Sequence, residues 1–309
     1  MKLKEKLIIA NTGDDTLTCI NLLDKKVDKI IYLRETINNG TNTMLNVPSI
    51  GPWDMIYDGY KFVYCTNAYD NSIFKIDIIS GNLVDKLYVG SFPTSIKAFD
   101  DHIFIVNSDS NSISVVDEKE FYLIENIPVG EKPIDIEIDE IQKKLYIANS
   151  NGSSINIIDL DEYKNQTIKL KNNPLKIIIE DEYMYILYSV NNGTINNSNI
   201  SIMNLKNYSE EEIFQLKGIF TTMLKLNDKE IVFITSIDEG YICRLDIEKR
   251  NLLSKTKLMG MPNRIKWDRD NTIFITDIAN DILYFFDIKE NNLTDYIKVG
   301  KEPGGILII

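Results

Sequence analysis

A single pattern recurs seven times in this 309-residue chain, spaced about 40 residues apart. Its clearest copies read KLYIANSNGSSINIIDL (144–160), FVYCTNAYDNSIFKIDI (62–78) and IFIVNSDSNSISVVDEK (103–119). Most copies are followed by a Gly and then a Pro, as in VGSFP (89–93), VGEKP (129–133) and VGKEP (299–303). A fixed period of this length means one supersecondary unit, unable to bury its apolar face alone, stacked on copies of itself. Units of short strands at this spacing are propeller blades.

Each unit contains four short apolar runs, rich in Ile, Val, Tyr and Phe and bounded by Gly, Asn, Asp or Pro. These are strand signals, and we letter them a to d from the axis outward. Strand a follows the Pro, as in DIEI (135–138). Strand b is the KLYIAN-type run and strand c the SINIID-type run. Strand d precedes the Gly, as in LVDKLYV (83–89). Only YSEEEIFQL (208–216) is ambiguous between strand and helix. The chain begins in a strand b (7–10) and ends in a strand a (305–309), which predicts that the two ends pair and close a ring. The expected fold is therefore all-β. It is a single seven-bladed propeller domain over 1–309, built of four-stranded antiparallel blades. Blade 1 combines 305–309 with 6–33. Blades 2 to 7 cover 53–89, 94–129, 134–170, 175–216, 219–258 and 263–299.

The most regular letters read as structural. Asn21, Asp77, Asp117, Asp159, Asn204, Asp246 and Asp287 end strand c, where a short polar side chain bonds its own turn. Six of the eight prolines precede strand a, the position a residue without an N–H tolerates. Asn11, Asn67, Asn107 and Asn149 end strand b in register and read as caps of the b–c loops. Blades 5 and 6 depart from the pattern. Ser189 and Ser236 take the Asn position, and GIFTT (218–222) replaces G-x-x-P.

A net charge of −12 without any Lys/Arg-rich run argues against nucleic acid and anionic lipid as partners. The N-terminal apolar run is too short for a signal peptide, and no stretch reaches the ~18 residues that would span a membrane. Cys19, Cys65 and Cys243 fall within strand patterns and read as reduced, buried thiols. The expectation is a monomeric, cytoplasmic protein of bacterial type, with an AT-rich codon signature in its Asn, Ile and Lys content, and with no cofactor.

The runs LYIANS (145–150), VYCTNA (63–68), IFIVNS (103–108) and LIIANT (7–12), followed by S-I-x-V/I-I/V-D and V-G-x-x-P, resemble the YVTN-type seven-bladed β-propeller repeat family. The resemblance covers nearly the whole chain. It implies the fold and says little about activity, since propellers host unrelated chemistries. Enzymes of this fold, such as lactonases and streptogramin-type lyases, would imply His, Glu and Arg converging at the channel. Here Arg264 and acids alone qualify. His102, the one histidine, opens strand b of blade 3 at the bottom rim, so no triad or His-based metal set can be assembled and no catalytic or metal residue is assigned.

The b–c loops and the d-to-a connections share the top face. The two long insertions, 34–52 and 190–198, both fall there, and long loops in compact domains tend to carry function. The residues one and two after the Pro position are expected at the channel mouth. From these, Trp53, Asp54, Ser95, Asp135, Lys176 and Arg264 form the candidate binding set. Gly304 and Gly305 would leave a gap beside Trp53, whose ring is free to stack there. Lys97, Glu137, Lys225 and Lys266 would extend the lining two residues deeper. Asp14, Asp15, Asp70, Asp109, Asp238 and Glu239 are the acids within reach of Ca²⁺, but they lie on separate blades without a calcium-loop motif. The leading expectation is a non-enzymatic binding or scaffold propeller that engages a protein, peptide or glycan through its top face. The alternative is a lactonase- or lyase-like enzyme working at the channel mouth.

Overall fold

The computed structural model describes residues 6–34, 49–162, 164–191, 196–227 and 229–309. They form seven four-stranded antiparallel sheets arranged as a seven-bladed β-propeller. The ambiguous segment at 208–216 is largely strand d of blade 5, Glu210–Lys217. No helix of the described residues is long and apolar enough to cross a membrane.

Seven apolar clusters occupy the seven interfaces between neighbouring blades. Each blade is therefore buried on both faces, which explains why its inner strands are nearly continuous apolar runs rather than alternating ones. Strand b of blade 1 shows the division: Leu7 and Ile9 pack towards blade 7, while Ile8 and Ala10 pack towards blade 2. Strand d faces solvent along much of its length, as in the exposed residues of Lys26–Tyr32.

The ring closes as the chain ends predict. Pro303–Ile308 is strand a of blade 1 and pairs with Lys6–Asn11, with Leu7 opposite Ile308 and Ile9 opposite Ile306. The strand begins two residues earlier than expected, at the proline. Ile309 exchanges both backbone hydrogen bonds with Lys6, at 3.1 and 2.9 Å.

The repeated polar letters hold the turns. In every blade the Asp or Asn ending strand c accepts a backbone N–H from its own turn, for example Leu23 N to Asn21 Oδ1 at 2.9 Å and Glu290 N to Asp287 Oδ1 at 2.8 Å. The strand b asparagines cap the b–c loops. Asn149 Nδ2 donates to Ser154 Oγ at 3.1 Å and to Asn156 Oδ1 at 2.8 Å, Asn11 and Asn107 make the equivalent two bonds, and Asn67 makes the first of them, to Ser72 Oγ at 3.1 Å. These asparagines also explain the preceding glycine. A β-carbon on Gly90 would lie 2.5 Å from Asn107 Cγ, and one on Gly130 would lie 2.6 Å from Asn149 Cγ. The Gly and the Asn of the motif are thus two halves of one contact.

Two register assignments in the divergent blades differ from expectation. In blade 5, strands b and c each run nine residues, Tyr183–Asn191 and Asn196–Asn204. Their pairing puts Tyr188, not Ser189, in the Asn position, and its buried hydroxyl donates to Glu210 Oε1 at 2.8 Å. In blade 6 the connection into strand a is one residue shorter. Phe220, not Thr221, takes the proline's place opposite Ser236.

Candidate functional site

One residue bulges near the start of strand a in each blade. In blade 3, Pro93 pairs with Asn107 and Ser95 pairs with Val106, so Thr94 is the extra residue. A bulge re-aims the side chains around it. It sends the second residue after the proline into a central channel of about 440 Å³ to which all seven blades contribute. Asp54, Ser95, Asp135, Lys176 and Arg264 all line that channel. Trp53 does not. Its ring lies on the top face against Phe92, with centroids 5.8 Å apart. Nor is there a gap beside it: a β-carbon on Gly305 would stand 2.5 Å from the Trp53 carbonyl oxygen.

Of the deeper positions, Lys97 and Lys266 line the channel, and Glu137 reaches it by bonding to Lys97. Lys225 is a correction. The shortened connection of blade 6 shifts its strand by one residue, and a shift of one turns every side chain to the other face. Lys225 is accordingly buried beside Tyr185, ion-paired with Glu180 and bonded to the Lys229 carbonyl at 2.9 Å. Thr222 takes the channel position, while Met223 is buried in the interface between blades 5 and 6.

The channel charges are organised in two groups. On one wall Lys176 Nζ lies 2.8 Å from Asp135 Oδ1 and 3.5 Å from Glu137 Oε1, and Lys97 Nζ lies 2.9 Å from Glu137 Oε2. Burial pushes the Asp135 carboxyl above its usual range despite Lys176. Burial opposes the charged form of Glu137 as well, but Lys97 and Lys176 outweigh it and hold this carboxyl low. Lys97 is raised to about 12, its burial overcome by Glu137. Asp54 is held by backbone amides, from Met55 at 2.9 Å and Ile96 at 3.3 Å. On the other wall stand Arg264 and Lys266. Among the described residues neither side chain has an ion pair or a hydrogen bond. Lys266 is exposed to the channel's solvent, but desolvation by the enclosing walls, with Lys97 next in weight, pushes its amine below its ordinary value.

The top face carries a second feature, missed from sequence. Tyr69, Phe92 and Trp53 form an aromatic row, with Tyr69 and Phe92 centroids 6.2 Å apart and Lys132 Nζ 5.9 Å from the Phe92 ring. Phe92 precedes Pro93 at a φ of 56°, where its counterparts are Gly51, Lys132 and Glu302. A bulky side chain in this region is strained. The signal available in the sequence was an aromatic ring at a position that no other blade fills with one.

That pre-proline residue also belongs to a recurring latch between blades. Its N–H is accepted by the left-handed residue of the preceding b–c turn: Gly51 by Asp15 at 2.7 Å, Phe92 by Asn71 at 2.9 Å, Lys132 by Asn111 at 2.9 Å and Glu302 by Asp281 at 3.0 Å. Asp15 also takes Ile50 N at 3.0 Å and Arg34 Nε, so it ties together both ends of the first insertion. The body of that insertion, including Met44, Leu45 and Val47, and positions 192–195 of the second lie outside the described residues.

The other acidic candidates have local partners. Asp14 accepts from Thr16 and Lys301, Asp70 pairs with Lys86, and Asp109 pairs with Lys132. Asp238 accepts from Ser236 and Ile219, and Glu239 pairs with Lys255. Among the described residues no three ligating side chains come together to hold a metal. His102 opens strand b of blade 3, its Nδ1 2.6 Å from the Asp100 carbonyl, beside a hollow of about 250 Å³ between blades 3 and 4. All three cysteines are free and buried, and burial raises Cys19 and Cys243 to about 11.

Fold and channel together define a seven-bladed β-propeller with a charged axial channel. No family model and no curated protein matches the chain. Among solved structures it is similar to a protein from Lactobacillus plantarum (TM-score 0.76, 8% identity, covering 99% of each chain). It is also similar to a functionally unknown protein from Desulfotomaculum acetoxidans (TM-score 0.75, 13% identity, 98% of each chain). A streptogramin B lyase matches at a TM-score of 0.69 with 16% identity, over 84% of this chain and 88% of the lyase. At these identities the likeness is one of fold.

Proposed function

We propose that this protein is a non-enzymatic binding propeller of the YVTN type, working in a reducing cytoplasm, that engages a protein, peptide or glycan through its top face. The observation that carries the reading is the row Trp53–Phe92–Tyr69. Tyr69 is half exposed, and Phe92 holds its phenyl on that face at the cost of left-handed backbone. Aromatic rings present large contact area with few rotamers to freeze, and they stack on sugar faces and apolar side chains alike. The row also adjoins the base of the first insertion, since Tyr69 N donates to the Ile50 carbonyl at 3.1 Å. Against the lactonase- or lyase-like alternative stand the channel carboxylates. Glu137 is held low between Lys97 and Lys176, and Asp135, though raised by burial, is tied to Lys176 and to the Ile177 amide, so both carboxylates are engaged within the channel wall.

The test is a combined peptide and glycan array probed with the wild-type protein and with the Tyr69→Ala/Phe92→Ala variant. The reading expects hits for the wild type that fade at least ~tenfold in the variant. Identical profiles for the two proteins would sink it. Turnover of a lactone or a cyclic depsipeptide, lost in Asp135→Asn, would revive the enzyme alternative.

A further inference from the structure

We propose that the axial channel is a binding site for a small anion carrying a carboxylate or phosphate group, held by Arg264 and Lys266. The site is separate from the aromatic row and does not rest on the top-face reading.

The argument begins with charge. The protein as a whole is strongly acidic, at −12. Its channel is not: Lys97, Lys176, Arg264 and Lys266 face Asp54, Asp135 and Glu137, four cations to three carboxylates. The negative side of that set is already engaged. Glu137 bridges Lys97 and Lys176, Asp135 holds Lys176, and Asp54 accepts two backbone amides. The positive surplus is concentrated on strand a of blade 7, where Arg264 and Lys266 stand two residues apart on one face with no acidic partner among the described residues.

Lone cations inside a channel are unfavourable unless something answers them, since protein walls reduce the solvation of the charge. Lys266 feels this: its side chain meets the channel's solvent, yet desolvation by the surrounding walls and the neighbouring Lys97 make its protonated form harder to hold. An anion would relieve both costs. Arg supplies a planar fork that matches the two oxygens of a carboxylate or phosphate, and Lys supplies a point charge beside it. A channel of about 440 Å³ lies within the size range of small-molecule sites and excludes a folded chain. A positive lumen within an acidic surface also focuses the field inward and selects small anions over polyanions.

Titration calorimetry on the full chain, with citrate and with inorganic phosphate as probes, decides the matter. The expected result is saturable one-to-one binding of at least one of them. Affinity should fall by at least ~tenfold in Arg264→Gln and in Lys266→Gln. It should be intermediate in Arg264→Lys, and unchanged in Arg250→Gln, whose ion pair with Glu211 lies on the outer rim. Tighter citrate assigns a carboxylate ligand and tighter phosphate a phosphorylated one. Tyr69→Ala/Phe92→Ala should bind either anion as the wild type does, so this site can fail without the top face failing. Lys266→Gln should melt no lower than the wild type, because it removes a charge without a partner. No saturable binding of either anion, or binding undiminished in both Gln variants, would overturn the proposal.

Discussion

Gly305 and Trp53 touch backbone to backbone: a β-carbon added to the glycine would stand 2.5 Å from the tryptophan's carbonyl oxygen. Gly305 lies in strand a of blade 1 and Trp53 in strand a of blade 2, so this is where the innermost strands crowd around the axis. One residue earlier, a β-carbon on Gly304 would come no closer than 3.6 Å to any atom beyond its neighbours in the chain. Two adjacent glycines thus have different reasons to be there.

The pair makes a controlled test. Gly305→Ala must displace rigid backbone and should lower stability by about 1–3 kcal/mol, as overpacking does. Gly304→Ala meets only ordinary contacts and should stay within about 0.5 kcal/mol of the wild type. Urea unfolding of both variants measures the difference. Equal losses would remove the steric account.

The fold was legible because the repeat writes its strands and turns seven times, so that Asn21 or Asp287 can be placed by its siblings. What failed to read through was local length. Blade 5 lengthens strands b and c together, which moves Tyr188 into the capping position without any change of composition. Blade 6 drops one residue before Phe220, and that single deletion turns Lys225 from the channel into an interface. Five of the six candidate residues were brought to the channel by a bulge that repeats in every blade. Trp53 was misplaced because it is the bulged residue itself. The aromatic row depends on a latch between blades, and such a contact has no signature within one repeat.

The latch has a consequence at Asn111, which sits at a φ of 52° and accepts Lys132 N at 2.9 Å. Asn111→Gly keeps the backbone and loses the acceptor, for a cost of about 1 kcal/mol. Asn111→Ala loses the acceptor and also places a β-carbon in left-handed backbone, for about 2–3 kcal/mol in all. Thermal or urea unfolding should rank them in that order. An alanine variant as stable as the glycine variant would show that the φ value contributes nothing.

Lys176 and Asp135 should couple strongly, and the coupling should depend on pH. Asp135 is buried, and among the described residues its hydrogen-bond partners are Lys176 and the Ile177 amide, the latter at 2.9 Å. Lys176→Met strands a carboxylate there, so destabilisation of about 3 kcal/mol is expected near neutral pH. The sign with pH follows from burial, which already raises this carboxyl and would raise it further without the lysine. An acid whose folded pKa lies above its unfolded value stabilises the fold at low pH and loses that contribution as pH rises through the folded pKa. The gap between wild type and Lys176→Met should therefore narrow at pH values below the carboxyl's folded pKa and widen above it. In the double variant Asp135→Asn/Lys176→Met no charge is left stranded, so most of the loss should return and its pH dependence should vanish. Urea midpoints across this pH range measure all three proteins. A gap that is flat with pH would mean that Asp135 finds another partner once the lysine is gone.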